Sequence, residues 1–306
     1  AIAPLFQGGQ MGIIVAIHAL ILTVFIKVFL ASYKKFRIPY NFLCLSILLF
    51  YLWMALSIAW SPAPSISIHM FVWLSIFPLC YLIYTLKQPD DWPYLPIGIL
   101  CITLLFALIG ISQEFIIKSV PSSFFLDRNT FAGMLNLTAQ PTAAWFIISV
   151  KKRKKYLAIF LGIALFILFF AIFQTASRGA AISLLFGLFF IVLISLKYIE
   201  KSLFLRVFVI LIIAFLFADH ETTGRDHNIV KRIHKLSERE HLYYNKLVIW
   251  ESGWQIIKTA PIIGTGIGTF FIVYPPVQHP NDESSGDFLH NDYLQFWLET
   301  GLIGLG

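Results

Sequence analysis

Apolar residues run along this chain in blocks of about twenty, separated by short polar or proline-containing breaks, with neither strict alternation nor a soluble-helix stripe. Such blocks are long enough to cross a hydrocarbon layer of about 30 Å as helices. They predict eight spans at 11–31, 39–60, 66–86, 94–113, 129–150, 156–175, 179–196 and 203–218, and a ninth that begins near 290. The first block carries Lys27 near its far end and no basic residue before it, so it reads as a true span rather than a cleaved leader. The pattern changes over 219–289, which holds seven Lys or Arg and nine Asp or Glu. Within it Tyr243, Leu247, Trp250, Trp254 and Ile257 recur at spacings of four and three, opposite Lys246, Glu251 and Lys258. That is an amphipathic helix, which either lies at a membrane surface or packs on the spans. Pro261 ends it, and Gly264, Gly266 and Gly268 let the chain turn sharply.

The expected fold is therefore all-α: a polytopic transmembrane helix bundle with one large external loop domain that contains short amphipathic helices. Its parts are a transmembrane domain over 1–218, a loop domain over 219–289, and the start of a further transmembrane helix over 290–306. The chain starts at Ala1 and stops at Gly306 inside an apolar run, so a fragment lacking C-terminal spans is expected.

Composition supports this reading. Of 306 residues, 58% are hydrophobic and only 13% charged, against roughly 25% charged in soluble domains. Net charge is +7, but five of the basic residues are the run Lys151 to Lys155 between two spans. A block in that position orients the chain and does not point to nucleic acid. Threaded up and down, the loops with Lys34, Lys35 and Arg37, with Lys87, with that run, and with Lys197 and Lys201 share one side, cytoplasmic by the positive-inside rule. Residues 61–65, 114–128, 176–178 and 219–289 then face outward. Cys44, Cys80 and Cys101 are scattered in apolar segments and form no disulfide framework.

Several acids and histidines gather between His279 and Asp292, without an HExxH or paired-His spacing, so no metal site is assigned. The glycines after Pro261 lack the GK[ST] of a phosphate loop. His220, His227, His234 and His241 recur every seven residues, a solvated stripe or coincidence.

A resemblance rests on K-L-V-I-W at 246–250, A-P-I-I-G-T-G-I-G-T-F at 260–270, Y-P-P at 274–276 and H-N-D-Y-L-Q-F-W-L-E-T-G-L-I-G at 290–304, with D-R-N-T-F-A-G at 127–133 and S-R-G at 177–179. Together these resemble the bacterial O-antigen ligase and O-antigen polymerase superfamily. The resemblance implies a metal-independent glycosyl transfer, with no cofactor, at the outer face of the bacterial inner membrane. A glycan on an undecaprenyl diphosphate donor passes to a hydroxyl of lipid A core or another acceptor. It implies His290 as general base, and Arg178 with Lys246 as holders of the diphosphate. Lys246 stands where the family usually has arginine; it keeps the charge and loses the planar fork. Arg178 also reads as an interfacial arginine reaching lipid phosphate, and His290 as a capping or packing residue. If His290 opens a helix, the dipole there favours a neutral ring able to take a proton. Asp127, Arg128 and Asn129 fit either diphosphate and sugar contacts or a helix cap. Asn291 and Tyr293 fit loop orientation or sugar binding. Ligation of O-antigen to lipid A core is the leading expectation. Repeat-unit polymerisation and protein O-glycosylation share its donor and base. A transporter or flippase is the different-class alternative, disfavoured because the spans hold few ionisable groups for a midplane path.

Overall fold

A computed structural model describes residues 11–32, 41–86, 94–125, 127–197, 200–222, 228, 240–282 and 286–306. All regular elements among them are helical. In chain order they are α1 (Met11–Ser32), α2 (Phe42–Ser57), α3 (Pro64–Leu74), α4 (Ile76–Leu86), α5 (Leu95–Ser112), α6 (Arg128–Lys151), α7 (Lys155–Gln174), α8 (Arg178–Ser195), α9 (Lys201–Thr222), α10 (Glu240–Thr259), α11 (Phe270–Val273) and α12 (Asp292–Leu305). Among the described residues, six segments are long and apolar enough to cross a membrane: Phe42–Trp60, Pro64–Ile83, Leu95–Ile117, Lys155–Gln174, Arg178–Ser195 and Lys201–Thr222. The chain is an all-α polytopic membrane protein. The histidines at 227 and 234 and the side chain of His241 lie outside the described residues.

Two compact units form. One holds α5 to α9, and the other holds α1 from Ile14, α2 to α4, and α10 to α12. In the first, α7 is the central helix: Leu161, Ala164, Leu165, Leu168 and Phe169 to Phe173 are buried among α5, α6, α8 and α9. A helix that is apolar all round belongs in such a position. Small residues let the others approach, as expected where lipid removes the hydrophobic drive between helices. Ala132, Ala139, Ala143, Ala164, Ala171 and Ala214 are fully buried. A Cβ on Gly110 would stand 2.7 Å from the Phe131 ring, and one on Gly187 2.3 Å from the Gln140 amide.

Helix α6, read from the sequence as the fifth span, is less apolar than its neighbours because it spends polar side chains on them. Asn136 donates to the Ala180 carbonyl and to Ser183 Oγ, both at 2.8 Å, and Gln140 donates to the Ser183 carbonyl at 3.2 Å. Thr138 and Thr103 join α6 to α5 through their hydroxyls, 3.1 Å apart. The predicted span 66–86 is broken at Ser75 into α3 and α4. Pro78 lacks the amide that would bond one turn back, and its ring crowds that turn.

In the second unit α10 packs against α12 and the short turn Pro275–Val277. Ile249, Ile256, Ile257, Phe270, Tyr274, Leu289 and Leu298 form its core. The buried row of α10 is rotated from the predicted stripe: Val248, Ile249, Ser252, Ile256 and Ile257 are buried, whereas Leu247 and Trp254 stay 48% and 41% exposed. Gly253 is the reason. A Cβ there would lie 2.5 Å from Leu289, so the bare backbone draws that leucine onto this side of the helix.

Candidate functional site

In the first unit the two short motifs found in the sequence meet. Helix α7 ends at Gln174 and the chain reverses through Thr175, Ala176 and Ser177. Thr175 Oγ1 donates to the Ile172 carbonyl at 2.6 Å and accepts from the Ser177 amide at 3.2 Å. Ala176 takes a left-handed conformation, φ 50°. Ser177 then caps α8, its Oγ accepting from the Ala180 amide at 3.4 Å. The same hydroxyl donates to Asn129 Oδ1 at 2.9 Å, across 48 residues of sequence. Asn129 lies in the first turn of α6, which Asp127 caps by accepting from the amides of Asn129 and Thr130 at 2.7 and 3.1 Å and from the Thr130 hydroxyl.

Burial alone would raise the Asp127 carboxyl, but its bonds from Thr130 and Asn129 outweigh that and hold it below the ordinary carboxylate range. The capping reading of Asp127 thus describes its hydrogen bonds. Arg128 and Arg178 are the first residues of α6 and α8, and both are half-exposed. Two helix N-termini, each beginning with an arginine, are therefore tied together by one side-chain bond. Free N–H groups and dipoles at such ends favour anions, and guanidinium groups grip phosphate oxygens in pairs.

The second unit holds His290, Asn291, Tyr293 and Lys246. His290 is exposed and left-handed, φ 56°. It precedes the helix: Asn291 is the cap of α12, accepting from the Leu294 amide at 3.2 Å, and Asp292 begins the first turn. Tyr293 is 79% exposed. What fixes His290 is its neighbour Leu289, fully buried, whose carbonyl accepts from the Trp250 indole at 3.0 Å and whose amide donates to Gln295 Oε1 at 3.3 Å. Lys246, exposed, lies one helical turn before Trp250 on α10.

The glycine cluster serves this arrangement. Gly264, Gly266 and Gly268 have φ of 71°, 107° and 73°. The loop lies backbone to backbone on α12, with the Thr265 amide on the Leu298 carbonyl at 2.9 Å and the Gly266 amide on that of Glu299 at 2.8 Å. Glu299, 4% exposed, accepts from the amides of Gly268 at 2.8 Å and Phe270 at 3.3 Å and from Gln295 Nε2 at 3.3 Å. Gln295 therefore links the Glu299 clasp to Leu289. Gly301 breaks α12 with φ 69° and ψ −176°; a Cβ there would stand 2.1 Å from the Ile262 carbonyl oxygen. Tyr274, of Y-P-P, is fully buried with its hydroxyl donating to Asp282. Burial first, then the bond to Asp282 and its charge, push the phenol above its usual range.

Sequence reasoning missed Ser177, Gln295 and Glu299. A serine directly before an apolar helix is a cap signal that pointed to the first. The other two are polar residues of a largely apolar helix, Gln295 and Glu299 standing one turn apart.

Among the described residues no group of three His, Cys, Asp or Glu comes together that can hold a metal ion. No curated protein and no solved structure matches the chain. Residues 163–306, which include Arg178, Lys246 and His290, match the family model described as O-antigen ligase, and this match supports membership of the O-antigen ligase superfamily for that part of the chain.

Proposed function

We propose that the chain moves a glycan from undecaprenyl diphosphate to an acceptor hydroxyl on the periplasmic face of the bacterial inner membrane, and that the reaction is O-antigen ligation to lipid A core. The observation that carries this reading is the Ser177–Asn129 bond, which unites two arginine-bearing helix N-termini into a receptor suited to a diphosphate. In the proposed reaction His290 takes the proton of the acceptor hydroxyl as its oxygen bonds to the anomeric carbon. The bond from that carbon to the diphosphate breaks, and undecaprenyl diphosphate leaves with the electron pair. Arg178 and Arg128, with the amides of their helix ends, stabilise the charge gathered on the leaving group, a use of preorganised electrostatics. Lys246 adds a cation on the helix that anchors Leu289. Asn129, Asn291 and Tyr293 contact sugar hydroxyls, and Asp127 holds the first turn of α6. The reading assigns no metal and no cofactor. Segment 219–289 serves as the periplasmic loop domain between the membrane part, 1–218, and the helix over 290–306.

The test is deletion of the gene in its host, followed by analysis of the glycans. Long lipid-linked chains beside bare lipid A core are expected. Cores carrying single repeat units would make the protein a polymerase, and unmodified glycoproteins would make it a protein O-glycosylating enzyme. Unchanged glycan pools would overturn the transferase reading.

A further inference from the structure

A cavity of about 660 Å³ opens between α6, α7 and α9, in the first unit and at the ends of α6 and α7 opposite to Asn129 and Ser177. Its size is that of ligand sites, roughly 300–1,000 Å³. The walls are apolar, with Phe146 and Phe166 among them, and Gly162 leaves the floor open. Its rim carries four cations: Arg153, Lys154 and Lys155 from the α6–α7 turn, and Arg206 from α9. None of the four has a carboxylate within ion-pair distance among the described residues. Glu200, the residue before α9, accepts from the Ser202 hydroxyl at 3.4 Å.

The turn itself is built to hold this cluster. The Lys154 amide donates to the Ser149 carbonyl at 2.9 Å and the Arg153 amide to the Val150 carbonyl at 3.0 Å, closing α6 with a Schellman motif. The left-handed position of that motif favours glycine, yet Arg153 occupies it at φ 55°. Lys155 begins α7, where the helix dipole opposes a cation. Arg206 lies within an apolar helix, where an unpaired charge is costly. Helix termination, helix dipole and placement in an apolar spanning helix thus disfavour cations at these places, although all four side chains are exposed. A positive-inside signal explains basic residues in this loop; it explains neither an arginine at the glycine position nor Arg206 turned to the same cavity.

We propose that this groove binds an anionic phospholipid of the adjoining leaflet, an acyl chain lying against Phe146 and Phe166 and the headgroup phosphate among Arg153, Lys154, Lys155 and Arg206. A basic pocket between spanning helices is suited to such a headgroup, and each cation near an anionic lipid contributes roughly a fivefold preference. The site lies apart from the residues proposed for transfer and does not depend on that function.

The test is native mass spectrometry of the detergent-purified full chain, with phosphatidylglycerol and phosphatidylcholine of identical acyl chains. The wild type is expected to retain one phosphatidylglycerol with at least about twenty-five-fold preference, from two or more cations at roughly fivefold each. Arg206→Gln and Arg153→Gly should each lower that preference about fivefold. Arg153→Gly should do so while resisting denaturation as well as the wild type or better, because glycine relieves the left-handed backbone; a merely structural arginine gives no such split. Gly162→Leu, whose Cβ meets Phe146 at 3.3 Å, should fill the groove and remove both lipids. Equal retention of the two lipids, or a preference that survives the Arg153→Gly, Arg206→Gln double variant, would overturn the proposal. So would displacement of phosphatidylglycerol by glycerol 3-phosphate at equal concentration, which would make the site one for free anions.

Discussion

Glu299→Ala probes the clasp that organises the second unit. The carboxylate is 4% exposed and accepts from two backbone amides, of Gly268 and Phe270, and from Gln295. Truncation leaves both amides buried without that acceptor, at about 1–3 kcal/mol each, so a total loss of about 2–6 kcal/mol follows. Glu299→Gln keeps one carbonyl oxygen and should lose about half as much. Denaturation of the purified protein in mixed detergent micelles gives the stability. The effect on transfer is more specific. Once Gln295 loses Glu299 it is free to turn, and the Leu289 amide loses its partner one residue before His290. Turnover should therefore fall more than donor affinity, because Arg128 and Arg178 belong to the other unit. A Glu299→Ala protein within about 0.5 kcal/mol of wild type, as is usual for surface substitutions, would refute the clasp. A weakened donor KM with unchanged turnover would refute its link to His290.

Gly301→Ala should prevent accumulation of folded protein, since its dihedrals are essentially restricted to glycine and the new Cβ meets Ile262; folded yield on size-exclusion chromatography reads this directly. Ser177→Ala removes the α8 cap and the bond to Asn129, and should cost about 1–2 kcal/mol in denaturation while raising the donor KM several-fold. Asp127→Ala should cost about 1 kcal/mol at neutral pH. Because the Asp127 carboxyl is held below its ordinary value, its stabilisation is present above the unfolded pKa and is lost as pH falls through the folded one. The difference between wild type and Asp127→Ala in denaturation should accordingly be constant near neutrality and shrink below about pH 4.

The apolar blocks made the helical architecture legible, because helix length and hydropathy are local properties. Helix α6 shows the limit: its Asn136 and Gln140 depress the hydropathy, and only the packed structure reveals that they bond to α8. Each arginine of the first site stood in a recognisable motif. Their union could not be read, since one bond between Asn129 and Ser177 makes it across the whole of α6 and α7. The glycines after Pro261 were legible as a turn through their tolerance of positive φ. Their other role is close approach to distant partners, Gly264 admitting the backbone of α12 at Glu299 while Gly266 and Gly268 admit Ser61 and Met70 from much earlier in the chain. The predicted stripe on α10 failed where Gly253, apolar by omission, accepts Leu289 and shifts the buried face. His290 was legible through its motif, whereas its position before the helix cap follows from Asn291 taking the cap itself.

The central claim is glycosyl transfer with His290 as base. Its most direct measurement supplies the purified full-length protein with an undecaprenyl-diphosphate-linked glycan and lipid A core, and follows glycosylated core and released undecaprenyl diphosphate. Wild type should form both in equal amounts. His290→Ala and His290→Gly should form neither, although His290→Gly, freed of the left-handed strain at φ 56°, should be more stable than His290→Ala by about 1 kcal/mol. Glycosylated core formed at the wild-type rate by either folded variant would contradict the account.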